Sequence, residues 1–213
     1  MKTLIATLFT IVSIHAFAGE GQFEKAMTSN INKIWTSQSS DLDQLTHTFT
    51  RIAEAEKDKW TPYYYASLCQ VFKSFQTADL KTKDAVLDAA LEKLTLAENL
   101  SQDNSEIVAL QGFVYMLKIE VDPGTRGQSL SPKIYQLYGK ALKLNPENPR
   151  AVLFMGQMQM GSAQFFGQST DEACQMIMSS IDLFEKQSDE DPVAPSWGMY
   201  GIERWTSQCS PTE

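Results

Sequence analysis

Apolar residues recur three and four positions apart along almost the whole chain, which is the spacing of one face of an α-helix. The first such face carries Phe23, Met27, Ile31, Ile34 and Trp35. No run of four or more residues alternates cleanly between apolar and polar in the manner of a strand. The pattern therefore predicts an all-α protein built from antiparallel helical hairpins.

Capping signals mark where the predicted helices begin. Thr61-Pro62, Ser131-Pro132 and Asn148-Pro149 each pair an N-cap residue with a proline suited to the first helical position. Ser169 and Glu172 have the spacing of a capping box. These signals predict nine helices, over residues 22–37, 41–56, 61–76, 81–100, 105–119, 132–144, 149–160, 170–187 and 196–207.

Small residues recur at a nearly fixed interval inside these helices. Gly112 and Gly156 are 44 residues apart, and Ala66 precedes Gly112 by 46. Ala97 and Ala141 are also 44 apart. Because a fixed period is the mark of stacked repeats, we expect these small residues where two helices touch closely.

Several motifs extend this periodicity. They are VALQGFVY at 108–115, VLFMG at 152–156, ALEKLTLA at 90–97 and the join ALKLNPENP at 141–149. Together they resemble the tetratricopeptide repeat, and the whole chain is similar to small exported bacterial proteins of that family. The resemblance implies a short right-handed solenoid of stacked hairpins with a concave groove, closed by a C-terminal capping helix.

The period is about ten residues longer than the roughly 34 residues of that family. The surplus falls inside the hairpins, at Val121–Leu130 and Gly161–Ser169, which are predicted as long loops. A period of 44 residues also suits HEAT or armadillo arrays, but the glycine and alanine positions and the Asn-Pro join favour the tetratricopeptide interpretation. The predicted organisation is a signal peptide at 1–18, a divergent hairpin at 19–58, repeats at 59–190 and a C-terminal cap at 191–213.

The N-terminus has the layout of a secretory signal peptide. Lys2 precedes an apolar run over residues 4–14, and Ala16-Phe17-Ala18 offers a small-x-small cleavage site. Cleavage after Ala18 predicts an exported protein of the periplasm or the extracellular space. An N-terminal core helix is the alternative interpretation.

The formal net charge is −8. Nucleic acids and anionic membranes attract clustered Lys and Arg, so an acidic chain argues against both as partners. No stretch after the N-terminal run is apolar enough to predict a transmembrane helix.

Three cysteines follow the predicted signal peptide, and their spacing fits no zinc site. Buried free thiols are the favoured interpretation. In an oxidising compartment Cys174 and Cys209 are the pair expected to bridge, because Cys69 falls on a core-facing helical position.

Catalytic chemistry is not assembled in any recognisable order, so we predict no enzyme and no cofactor. His47 is the single histidine after the predicted cleavage, and we interpret it as a partly buried packing residue. Soft ligands favour Cu(I), so a small-ligand or Cu(I) carrier is an alternative function. Its candidate ligands are Met155, Met158, Cys174, Met176 and Met178, although methionine at helical spacing is usually core filler.

The leading hypothesis is a protein-binding or assembly scaffold that docks an apolar peptide or helix. The resemblance places its groove on one stripe of the first helix of each hairpin: Tyr63, Ser67, Gln70, Ala109, Phe113, Met116, Leu153, Gln157 and Met160. This stripe has no Lys, Arg or Asn, which argues against a basic clamp on a peptide carboxylate. The protein's own tail, residues 192–205, is the occupant favoured over an open groove.

Overall fold

The computed structural model of the protein describes residues 15–187 and 190–209, with side chains described from residue 21 onward. Residues 1–14, the greater part of the predicted signal peptide, lie outside the described residues. Within the described range the chain forms nine helices and no strand, which confirms the all-α prediction. They are α1 (His15–Ile34), α2 (Ser39–Ala55), α3 (Thr61–Phe75), α4 (Leu80–Leu100), α5 (Ser105–Val121), α6 (Pro123–Leu144), α7 (Pro149–Phe166), α8 (Asp171–Glu185) and α9 (Glu203–Thr206).

The helices pack as consecutive antiparallel hairpins. Helix α3 packs on α4, α5 on α6 and α7 on α8, and successive hairpins stack through α2 on α3, α4 on α5 and α5 on α7. The turns from the first to the second helix of each hairpin therefore lie along one edge of the array. Among the described residues, no helix is both long enough and apolar enough to cross a bilayer.

The small residues of the repeat lie at close helix contacts, as the period predicts. A Cβ added to Gly112 would lie 2.5 Å from a ring carbon of Tyr138 on α6, and one added to Gly156 would lie 2.9 Å from Ile177 on α8. Ala141, another small residue of the repeat, is fully buried. Larger residues at the two glycines would push the paired helices apart.

The predicted N-cap at Asn148 is confirmed, because its side chain accepts a hydrogen bond from the Ala151 amide at 3.0 Å. The Asn104 side chain, which was not predicted as a cap, accepts from the Glu106 amide at 2.9 Å, whereas the predicted N-cap Thr61 lies inside α3 after Trp60. Such bonds satisfy amides that have no partner within the helix. The predicted start at Ser131-Pro132 is wrong, because Pro132 lies inside α6.

The first predicted long loop is helical from Pro123, and the second is helical over residues 161–166, with a short connection left from Gly167 to Ser169. Helix α6 begins at Pro123, where the Asp122 carboxylate accepts a hydrogen bond from the Thr125 amide at 3.3 Å. Arg126 fixes this new first turn by donating from Nη2 to the Asp84 carboxylate of α4 at 2.8 Å. Helix α7 runs on to Phe166 and ends at Gly167, whose φ of 64° is the left-handed conformation of a helix C-cap. The extra length of the repeat is therefore in its helices.

The C-terminal segment differs from its prediction in two ways. In place of a helix over 196–207 it forms only the four-residue α9, preceded by turns and extended chain. Cys174 and Cys209 form a disulfide with Cα atoms 5.3 Å apart, so the favoured interpretation of free thiols is wrong for this pair. Cys69 is a buried free thiol, and burial raises its pKa.

Candidate ligand-binding surface

The nine positions predicted to line a groove are all covered. Ser67, Gln70, Ala109, Leu153, Gln157 and Met160 are buried, and Tyr63, Phe113 and Met116 are partly buried. The amide of Gln70 donates to Thr46 Oγ1 on α2 at 2.9 Å, and Ala109 packs with Ala141 and Ala151. These stripe residues face neighbouring helices, so the stripe does not line an open groove.

The protein's own tail covers part of the same face. The indole of Trp197 lies with its centroid 6.1 Å from that of Phe113 and 5.9 Å from that of Phe154. Its Nε1–H donates to the Tyr64 hydroxyl at 2.9 Å. The structure thus agrees with the interpretation in which the C-terminal segment occupies this surface.

A continuous series of aromatic rings crosses the array at this face. We call it the aromatic row, and its members are Trp35, Phe72, Phe75, Phe113, Phe154 and Trp197. Ring centroids are 5.4 Å apart for Trp35 and Phe72, 6.0 Å for Phe72 and Phe75, and 6.3 Å for Phe75 and Phe113. These separations lie within the range of favourable aromatic pairs.

The closest pair of the row is formed by Phe113 of α5 and Phe154 of α7. Their rings stack with centroids 4.2 Å apart and planes 7° apart. Helices α3, α5 and α7 and the turn after α1 each bring a ring to this face, and α5 packs directly on α7. The row therefore exists only in the folded array.

Exposure falls steeply from one end of the row to the other. Trp35 and Phe75 are 44% and 52% exposed, whereas Phe154 and Trp197 are 3% and 8% exposed. Phe72 and Phe113 are partly buried between them. We call Trp35, Phe72 and Phe75 the outer end, and Phe154 and Trp197 the inner end. The outer end is an aromatic surface in contact with solvent.

A polar depression adjoins the outer end. It has a volume of about 660 Å³ and is lined by Gln38, Ser39, Ser40, Asp43, Lys73 and Gln76. Gln76, next to the outer-end ring of Phe75, donates from Nε2 to the carbonyl of Ser37, two residues after Trp35, at 3.1 Å. The Lys73 ammonium donates to the two Asp43 carboxylate oxygens at 2.7 and 2.8 Å. The outer end therefore combines flat apolar rings with a hydrogen-bonding rim.

A buried ion pair holds the inner end. The Arg150 guanidinium, 1% exposed, donates to both carboxylate oxygens of Glu106 at 2.6 and 2.8 Å. It also donates from Nη1 to the Trp197 carbonyl at 2.6 Å. Full burial of the neighbouring Tyr64 hydroxyl raises the pKa of that group. This network anchors the tail against α5 and α7.

The Cu(I)-carrier alternative required a thiolate from Cys174, and that sulfur is not a free thiolate in this structure. The sulfur of Cys174 is bonded to Cys209, and Met178 is 48% exposed on α8. Among the described residues, no group of three or more His, Cys, Asp or Glu side chains could hold a metal ion. His47 is exposed on α2, so its interpretation as a partly buried packing residue is wrong.

No protein-family model matches the chain, and no curated protein matches it. Among solved structures, the chain is similar to the HusA haemophore from Porphyromonas gingivalis, with a TM-score of 0.77 and 24% sequence identity. The match covers 95% of this chain and 98% of that one. This likeness shows the helical fold over nearly the whole length.

Of the aromatic row, only Phe113 was among the residues predicted from the sequence. The predicted groove positions, which are counted from the small residue of each first helix, do not include Phe72, Phe75 or Phe154. A usable signal was present: Trp35, Phe75 and Phe166 each stand at the end of the first helix of a hairpin. Aromatic residues at such turns are solvent-facing in three hairpins of one array.

Proposed function

We propose that this protein binds a flat, apolar ligand of the porphyrin class on the outer end of the aromatic row, with haem as the first candidate. The observation that carries the proposal is the exposed aromatic surface of Trp35 and Phe75, continuous with the buried rings behind it. Likeness in fold to a protein named as a haemophore supports the ligand class. A carrier of this kind is a binding protein, and its mechanism contains no catalytic step.

The chemistry of the surface suits the face of a macrocycle. Exposed rings lose unfavourable contact with water when a flat conjugated ligand covers them. Carboxylate side chains of the ligand then reach the polar rim, where they compete with Asp43 for the Lys73 ammonium. No member of the row carries an imidazole or a thiolate, so we propose recognition through the macrocycle and not through its metal.

Titration followed by the absorbance of the porphyrin tests this proposal. We expect haem and metal-free protoporphyrin to bind with similar affinity, because the row contacts the ring face. Phe75→Ala weakens both about three- to tenfold, since an aromatic pair contributes about 0.5–1.5 kcal/mol and 1.4 kcal/mol is a factor of ten. Binding of haem alone, with unchanged affinity in Phe75→Ala, would contradict the proposal.

Docking of an apolar peptide or helix is the second candidate function. One observation favours it: Phe165 and Phe166 are 83% and 69% exposed at the turn between α7 and α8. From Ala151 to Thr170 the chain has no charged residue, so the tip of this hairpin is an uncharged apolar projection. Exposed apolar groups of this kind mark interaction sites on many soluble proteins.

The two candidate functions are distinguished by testing both sets of variants in both assays. Crosslinking in the native envelope should lose its partner in Phe165→Ala/Phe166→Ala and keep it in Phe75→Ala if the tip docks a protein. Porphyrin binding should show the reverse dependence. Equal crosslinking by both variants would show that Phe165 and Phe166 do not form the docking site.

We also propose that the protein is exported, with cleavage after Ala18. The Cys174–Cys209 disulfide supports this, because disulfides persist in oxidising compartments and are rare in the cytosol. Mass spectrometry of the protein recovered from the culture should give an N-terminus at Gly19. An intact Met1 on the mature protein would contradict export by this route.

A further inference from the structure

The C-terminal segment Val193–Cys209, which we call the strap, is tied to the array at both ends. Near its start, the Ala194 carbonyl accepts a hydrogen bond from the Tyr65 hydroxyl at 2.9 Å, and the Trp197 carbonyl accepts from Arg150. At its far end, Cys209 is held to α8 by the disulfide. The strap therefore closes over the inner end of the aromatic row as a covalently fixed loop.

Its Trp197 occupies a position that is built for a flat ring. The indole lies against Phe113 and Phe154, and its N–H points at the Tyr64 hydroxyl. The same Phe113 is the neighbour of the exposed Phe75. The Trp197 indole is thus a planar aromatic group with one hydrogen-bonding edge. It fills the inner end of the row, next to the Phe113 ring that connects the inner end to the outer end.

Between its two ties the strap is anchored by Ile202, which is 6% exposed and belongs to the core, and only the two residues that follow Gly198 are held less firmly. Met199 and Tyr200 are 39% and 96% exposed, so neither side chain anchors this part. Gly198 and Gly201 have φ values of 126° and 74°, a region that residues with a Cβ rarely adopt. The bond from Arg150 to the Trp197 carbonyl and the disulfide hold the strap backbone, so the indole leaves the row by rotation about its side-chain torsions while both ties stay intact.

We propose that Trp197 is an internal competitor for the aromatic row. This inference rests on the proposed function. A flat aromatic ligand that extends from Phe75 to Phe113 displaces the indole from the inner end, and the strap thereby lowers the affinity of the row and limits how much of it a ligand covers. The tail would then regulate binding in addition to capping the array.

Binding of metal-free protoporphyrin and of the flat fluorescent sulfonate ANS to Trp197→Ala tests the strap. Removal of the competing indole should tighten both about fivefold or more, and Trp197→Phe, which keeps a ring, should stay close to wild type. Cys174→Ser/Cys209→Ser loosens the strap without altering the rings, and should tighten binding by a smaller factor. Unchanged or weaker binding in Trp197→Ala would overturn the inference.

Two controls keep the outcomes apart. Phe75→Ala in the Trp197→Ala background should abolish the gain, and a gain that survives it would place the probe in an unrelated cavity and overturn the inference. If porphyrin binds no variant, the proposed function fails and ANS alone decides on the strap. If Trp197→Ala does not fold, as judged by circular dichroism, the double-serine variant decides by the same criterion.

Discussion

The two ends of the aromatic row use the same kind of side chain for different purposes. At the inner end, Phe154 and Trp197 are almost completely buried, and burial of a large apolar side chain stabilises a fold by about 1.5–3 kcal/mol. At the outer end, Trp35 and Phe75 remain about half exposed and contribute much less in this way. The inner rings therefore hold the array together, while the outer rings face solvent, where the proposed ligand would cover them.

Polar groups show the same division. At the inner end, the buried Arg150 guanidinium is paired with the partly buried carboxylate of Glu106 and with the Trp197 carbonyl. An unpaired buried charge is costly, so this end tolerates little movement of the array itself. The polar rim of the outer end faces solvent, and a ligand can exchange its water without breaking a buried network.

The largest expected effect separates the two ends by stability. Phe154→Ala should lower the free energy of unfolding by about 3–5 kcal/mol, because it removes a buried ring and leaves a cavity. Phe75→Ala, the matched change at the outer end, should lower it by about 1 kcal/mol or less. Urea unfolding followed by circular dichroism measures both, and equal losses would contradict the division of the row.

A second contrast concerns the strap over the inner end. Gly198→Ala should cost about 2–3 kcal/mol, since its φ of 126° disfavours a Cβ and that Cβ would lie 2.6 Å from the Phe184 ring. Gly201→Ala is the matched control: its φ of 74° is strained, but an added Cβ meets no described atom within 4 Å. It should cost about 1 kcal/mol. An equal loss of stability in Gly201→Ala would contradict contact with the Phe184 ring as a cause of the Gly198→Ala effect.

The smallest stability effect is expected away from both ends, at the start of α6. Hydrogen bonds from Arg126 and Lys118 hold the pKa of the Asp84 carboxyl well below its usual range. The folded pKa is lower than the unfolded value of about 3.9, so this stabilisation is present above about pH 4 and lost as the pH falls. Asp84→Asn should cost about 1–2 kcal/mol at pH 7 and flatten the loss of stability in acid.

The control for that prediction is Asp88→Asn, which removes a more exposed partner of Lys118. It should change the unfolding free energy at pH 7 by less than Asp84→Asn does, because a surface ion pair contributes about 0–1 kcal/mol. Identical pH profiles for wild type and Asp84→Asn would show that the acid sensitivity lies elsewhere.

Much of the fold could be predicted from the sequence because its signals are local. The cap at Asn148 and the small residues Gly112 and Gly156 act within a turn or between adjacent helices. The first turns of α6 could not be predicted, since Asp-Pro-Gly is typical of a turn. Arg126 stabilises a helical first turn there by donating a hydrogen bond to Asp84, 42 residues earlier. No local pattern reveals that pair.

The candidate site was harder to predict for a similar reason. Spacing along a single helix placed Gln70 and Ala109 in a groove, but their partners are on other helices and bury them. The aromatic row joins rings from three helices, the turn after α1 and the tail, so its members share no spacing in the sequence. Trp197 in particular reaches the row only because Arg150 and the disulfide fix the strap.

The most direct test of the central claim removes two rings from each of two exposed sites and compares porphyrin binding. Trp35→Ala/Phe75→Ala strips the outer end, and Phe165→Ala/Phe166→Ala strips a more exposed site at the tip of α7. We predict that metal-free protoporphyrin binds the first variant at least about tenfold more weakly than wild type and the second with unchanged affinity. Equal affinity of the two variants would contradict the assignment of the aromatic row as the binding surface.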